Sequence, residues 1–190
     1  MDIQKIIQES ILAKEALLND DELRLRIRSA GEMIVKAYQE NRKVLLCGNG
    51  GSAADAQHIA AELTGRFYYD RPPLFAEALH VNTSYVTAVA NDYGYDEVYA
   101  RYVKAAGQKG DVLISLSTSG NSGNVIKAME AAGDIGMYNI AFTGESGGQM
   151  SNLADILLNV PSSDTPRIQE SHILVGHIIC QWVESELFPK

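Results

Sequence analysis

Two short apolar runs, each ending in a turn of glycine and small hydroxyl residues and each followed by a helical pattern, constrain this chain more than any other feature. The first is Val44-Leu45-Leu46-Cys47, followed by Gly48-Asn49-Gly50-Gly51-Ser52. The second is Val112-Leu113-Ile114-Ser115-Leu116, followed by Ser117-Thr118-Ser119-Gly120-Asn121-Ser122. A short continuous apolar run bounded by turn residues suits a strand buried on both faces. Strand, turn and helix in repetition are the unit of a parallel sheet. Three further runs, at 75–79, 138–142 and 156–160, bring the strand count to five. Helical patterns cover 53–64, the stretch from Ser122 through Met129, and 166–186. Pro72-Pro73 makes 68–73 a loop, because the pair permits neither a helix nor a central strand.

The first forty residues read as two helices. Ile3, Ile6, Ile7, Ile11, Leu17 and Leu18 mark one, and Leu23, Ile27, Ala30, Met33, Ile34 and Ala37 the other, with Asn19-Asp20 as stop and cap between them. The expected fold is therefore α/β: a three-layer, five-stranded parallel sheet flanked by helices, preceded by a helical hairpin. No repeat, linker or low-complexity tract interrupts it, so residues 1–190 are expected to form one domain. Ile173, Leu174, Val175, Ile178, Ile179, Trp182 and Val183 leave the last helix little polar face. That helix and the helices of 1–41 are expected to bury each other across a subunit interface.

Composition excludes several function classes. The net charge of −8 argues against binding nucleic acid, which needs a basic surface to displace counterions. It leaves room for an anionic small ligand held by helix N-termini. No run of 18 apolar residues occurs, and Met1-Asp2-Ile3-Gln4-Lys5 does not open a signal peptide, so a cytoplasmic protein without a membrane partner is expected. Cys47 and Cys180 are the only cysteines and form no CxxC pair; both are expected as buried, reduced thiols.

In parallel sheets, ligands bind beyond the carboxyl ends of the strands, where both Gly/Ser turns fall. Four hydroxyl residues within 117–122 exceed what one helix cap requires. With exposed amides and about half a positive charge from the helix dipole, they suit a phosphate monoester. The glycine turn fits neither a dinucleotide fingerprint nor a P-loop. Gly51 directly follows Gly50, no Gly-Lys-Ser/Thr occurs, and the only acid of the second strand, Glu77, lies inside it.

His58 and Glu62, at i and i+4, share a helix face near this edge. The last helix supplies Gln169, Glu170, His172 and His177. His177 lies among apolar residues and needs a partner if buried, either Glu62 or a metal ion. Two His and one Glu form a known catalytic zinc set. Gln169 and His177 are about 12 Å apart along a straight helix. A shared ion would therefore need long reach, a bend near Pro166, or donation across a subunit interface.

Taken together, Gly48–Ser52 with His58 and Glu62, Asn91-Asp92-Tyr93-Gly94, the 117–122 segment, and Arg167-Ile168-Gln169-Glu170 through His177 resemble the bacterial phosphoheptose isomerases of the sugar isomerase (SIS) domain family, over essentially the whole chain. The resemblance implies a flavodoxin-like SIS fold and a cytoplasmic homotetramer with active sites at subunit interfaces. It implies conversion of sedoheptulose 7-phosphate to D-glycero-D-manno-heptose 7-phosphate for bacterial heptose and surface lipopolysaccharide synthesis. It places substrate contacts on Asn49, Gly50, Gly51, Ser52, Glu62, Asn91, Asp92, Ser117, Thr118, Ser119, Ser122 and Gln169. One Zn2+ per subunit would be held by His58, Glu62, Gln169 and His177, and Glu62 and His177 would form the acid–base pair. Pro166 stands where some members carry an Asp, so Thr165 or Asp164 would have to replace that contact. The alternative is a non-catalytic SIS-domain binding protein that regulates replication initiation. Retention of both Glu62 and His177 favours the enzyme.

Overall fold

The computed structural model describes residues 1–190. Five strands, β1 (Val44–Gly48), β2 (Ala76–Ala78), β3 (Val112–Leu116), β4 (Tyr138–Thr143) and β5 (Ile156–Asn159), form one sheet in the order β2-β1-β3-β4-β5. Every pairing is parallel. The helices are α1 (Ile3–Asn19), α2 (Asp21–Gln39), α3 (Gly51–Thr64), α4 (Thr83–Tyr93), α5 (Val98–Ala106), α6 (Gly123–Ile135) and α7 (Thr165–Leu187). The expected α/β fold and helical hairpin are present. None of the helices is long and apolar enough to cross a membrane.

Alternation along each strand sends successive side chains to opposite faces. Val44 and Leu46 of β1, with Val112, Ile114 and Leu116 of β3, pack under α2, α3 and α7. Leu45, Cys47 and Leu113 point to the other face, against α5 and α6. Both faces are thus dry, which is why these strands read as unbroken apolar runs. Cys47 and Cys180 are free and buried, and burial raises both thiols to about 12, which keeps them protonated.

Strand order fixes the location of the site. From β1 the chain crosses to β2 on one side and later enters β3 on the other, making a topological switch point between β1 and β3. Gly48 pairs with Leu116 at the end of that ladder, so the glycine and serine turns leave the sheet side by side.

Three details differ from the sequence reading. The stretch 83–106, to which no element was assigned, holds α4, a short 3-10 turn (Tyr95–Glu97) and α5. The second strand is shorter than its apolar run. The last helix finds its burial within the chain: α2 and α3 pack on α7, covering Val175, Ile179 and Val183, while Ile178 stays exposed. α1 remains largely uncovered, burying Ala13 and Leu17 and leaving Ile3, Ile7, Ile11 and Leu12 in the open.

Candidate active site

The serine turn does not spend its hydroxyls on capping α6. Ser122 is the N-cap residue, yet its side chain makes no cap bond; its Oγ lies 2.9 Å from Ser117 Oγ. Ser117 Oγ is also 3.5 Å from Ser119 Oγ, which accepts from the Asn121 amide at 3.2 Å. The amides of Thr118, Ser119 and Ser122 donate to no group of the protein. Exposed donors above a helix N-terminus form an anion-binding concavity. Gly120 makes the turn possible: its φ is +66°, and a Cβ there would collide with the Gly147 backbone.

The glycine turn is built alike. Gly50 is the N-cap of α3 with φ +55° and supplies no side-chain cap, so the Gly51 and Ser52 amides also stay free, while that of Ala53 turns back to the Asn49 and Gly50 carbonyls. Ser52 is buried and Asn49 half-buried. The Gln169 amide, on the first turns of α7, lies directly over Gly51, where any Cβ would meet it at 2.5 Å. A side chain at 51 would therefore push the Gln169 carboxamide off the glycine turn.

Two turns further along α3, three chemically active side chains converge. His58 Nε2 lies 3.2 Å from Glu62 Oε1 and 3.3 Å from His177 Nε2. Ligand atoms of all three fall within 4.8 Å of one another. The His58 and His177 rings meet edge-on at 5.0 Å, and Phe67 covers His177 at 5.6 Å. Two imidazole nitrogens this close require either one to carry the hydrogen or both to direct lone pairs at a cation. A tetrahedral ion with bonds of about 2.0–2.1 Å spaces its ligand atoms by about 3.3 Å, so the spacing fits a metal ion.

Asp55 joins this face one turn earlier on α3. Burial raises its carboxyl to about 6, partly offset by His58, and its Oδ2 has no partner. Sequence reasoning passed over it, although 55, 58 and 62 share one helical stripe.

Other candidates lie elsewhere. Asn91 and Asp92 are exposed on the last turn of α4 and bond to each other at 2.8 Å. No hydrogen bond joins either to the two loops; their segment reaches the site through Tyr95, whose hydroxyl donates to Asn49. Gln169 sits at the level of Gly51, about 12 Å along α7 from His177 by helical rise, and so lies apart from the triad within one chain. Asp164 is the N-cap of α7 and makes no cap bond, which leaves its carboxylate free two residues before the Pro166 departure. His172 is a core residue: fully buried, it bonds the Thr143 carbonyl, and burial lowers it to about 4.

Comparison with known proteins agrees with this geometry. The SIS domain model matches residues 13–144. Phosphoheptose isomerase 2 of Campylobacter jejuni is 54% identical over 96% of this chain and 90% of its own length. The structure of a phosphoheptose isomerase from Francisella tularensis superposes with a TM-score of 0.92 at 39% identity, covering 96% of both chains. That of Neisseria gonorrhoeae gives 0.88 at 46% identity, covering 96% of this chain and 97% of the other.

Proposed function

The chain belongs to the phosphoheptose isomerases of the SIS-domain family, and we propose that it interconverts sedoheptulose 7-phosphate and D-glycero-D-manno-heptose 7-phosphate through an enediol. The observation that carries the reading is the convergence of Glu62, His58 and His177 on the sheet edge that also carries two turns with unpaired donors. The non-catalytic alternative has no observation in its favour.

In this mechanism the serine turn binds the phosphate through the Ser117, Ser119 and Ser122 hydroxyls and the free amides of Thr118 and Ser119. Asn49, Gly50, Gly51, Ser52 and Gln169 hold sugar oxygens, joined by Asn91 and Asp92. Glu62 takes a proton from C1 of the ketose, forming the enediol, and returns it to C2 to give the aldose. His177 moves a proton between the O1 and O2 oxygens, so the hydroxyl and carbonyl exchange places and no net proton is consumed. His58, Glu62 and His177 would hold a Zn2+ ion, with Gln169 as a fourth ligand supplied across a subunit interface. A bound Zn2+ contributes electrostatic stabilisation of the developing oxyanion. The apolar stripe on α1 suits the homotetramer of the resemblance, in which sites lie at subunit interfaces. A single domain, a cytoplasmic location and a role in heptose biosynthesis complete the proposal.

The test is NMR of sedoheptulose 7-phosphate incubated with the protein, with and without a chelator. Appearance of the aldoheptose phosphate supports the isomerase, and loss of turnover on chelation, restored by Zn2+, supports the metal. Tight binding without turnover in the zinc-supplemented protein refutes the proposed activity.

A further inference from the structure

One side-chain contact bridges the two binding turns. Asn124, on the first turn of α6, is only 3% exposed. Its carboxamide pairs reciprocally with that of Asn49, 75 residues away: Asn49 Nδ2 donates to Asn124 Oδ1 at 2.8 Å, and Asn124 Nδ2 donates to Asn49 Oδ1 at 2.9 Å. The Tyr95 hydroxyl donates to the same Asn49 oxygen at 3.3 Å. Behind them the buried Tyr99 hydroxyl donates to the Gly48 carbonyl, fixing the residue before Asn49.

Counting valences gives the consequence. A carboxamide oxygen accepts two hydrogen bonds and its nitrogen donates two. Asn124 and Tyr95 fill the Asn49 oxygen, and Asn124 takes one of the two nitrogen hydrogens. A single N–H remains. Turning Asn49 over alone would set oxygen against oxygen and nitrogen against nitrogen, and would leave the buried Asn124 carboxamide unsatisfied.

We propose that Asn124 is a positioning residue of the site: it holds Asn49 with only a donor left to offer, so the glycine turn presents N–H groups alone to an oxygen-rich, anionic substrate. Asn124 acts through Asn49 and touches no reacting atom. The same pair ties the glycine turn to the serine turn, so the distance between the phosphate subsite and the sugar subsite is set by a side-chain bond as well as by the sheet. This inference rests on the isomerase reading above.

The experiment is a double-substitution cycle with sedoheptulose 7-phosphate on wild type, Asn124→Ala, Asn49→Ala and the double variant. Asn124→Asp serves as the variant that keeps shape and loses the donor. Steady-state kinetics and calorimetric Kd are read in parallel, with the thermal midpoint as a folding control. Asn124→Ala is expected to raise KM and Kd about tenfold, the worth of one lost hydrogen bond, with kcat within about twofold. In the Asn49→Ala background the same substitution should change neither further. Asn124→Asp should weaken binding at least as much, and it carries the test if the alanine variant fails to fold. An unchanged KM and Kd in Asn124→Asp, or an Asn124→Ala effect that persists undiminished without the Asn49 side chain, overturns the proposal. Wild type that binds but does not turn over overturns the isomerase reading instead, and the Kd cycle then still decides the role of Asn124.

Discussion

Replacing Glu184 with alanine should destabilise the protein more than any single change at the site itself. Glu184 lies on the last turns of α7 with its side chain 2% exposed, and its partner Arg71 is equally buried. The carboxylate accepts from the amides of Phe67 at 2.9 Å and Tyr68 at 2.7 Å, and from Arg71 Nε at 3.2 Å. Arg71 in turn donates to the carbonyls of Leu63, Glu62 and Pro72. Deleting the carboxylate strands a buried guanidinium and two backbone donors. Breaking a buried pair by removing one partner costs about 3–5 kcal/mol, and each stranded amide is worth about 1–3 kcal/mol by itself. These overlap in one network, so about 4 kcal/mol is the expected loss. Urea unfolding at fixed protein concentration reads it as a shift in midpoint at constant m-value. The pair also has a pH signature. Burial pushes Glu184 up, but the Tyr68 and Phe67 amides and Arg71 outweigh it, so its folded value lies below the usual carboxylate range. Its contribution is complete above about pH 4.5 and is lost as pH falls through the lower folded value. A Glu184→Ala penalty below about 1 kcal/mol at neutral pH, or one that does not shrink in acid, would refute the reasoning.

Glu62→Gln preserves shape and removes the proposed base; turnover should fall at least about a hundredfold with the thermal midpoint held within a few degrees, and retention of most of kcat defeats the assignment. Ser119→Ala deletes one hydroxyl donor to a charged acceptor, worth about 1.5–3 kcal/mol, so calorimetry should show Kd for the sugar phosphate rising at least tenfold; an unchanged Kd moves the phosphate site elsewhere. His172 titrates near 4 when folded against an ordinary 6.5, so the unfolded chain binds the extra proton between those values. Stability should be full above about pH 6.5 and fall by up to about 1.4 kcal/mol per pH unit toward pH 4; His172→Gln should flatten that slope, and identical slopes in both proteins reject the assignment.

Much of the scaffold was legible because its signals are local. A strand dry on both faces must be apolar throughout, and β1 and β3 are. The Asp20 carboxylate caps α2 by accepting from the Leu23 amide, a bond that depends on residues three apart. The turns after β1 and β3 announced a binding edge through their own composition, and the i, i+4 spacing placed His58 and Glu62 on one face. By contrast, α4 is rich in Thr, Tyr and Val and buries only Val89, so neither propensity nor periodicity marked it. Its Asn82 cap was the one available signal.

What the sequence determined was the set of elements and the residue types that could do chemistry. Tertiary structure decided their partners: His177 against His58 across 119 positions, Asn124 against Asn49 across 75, and Glu184 against Arg71 across 113. These contacts exist because β3 lies beside β1 rather than beyond β2, and because α7 returns along α3. Strand order and helix docking are settled by burying apolar faces summed over the whole chain, a free energy that no local spacing records.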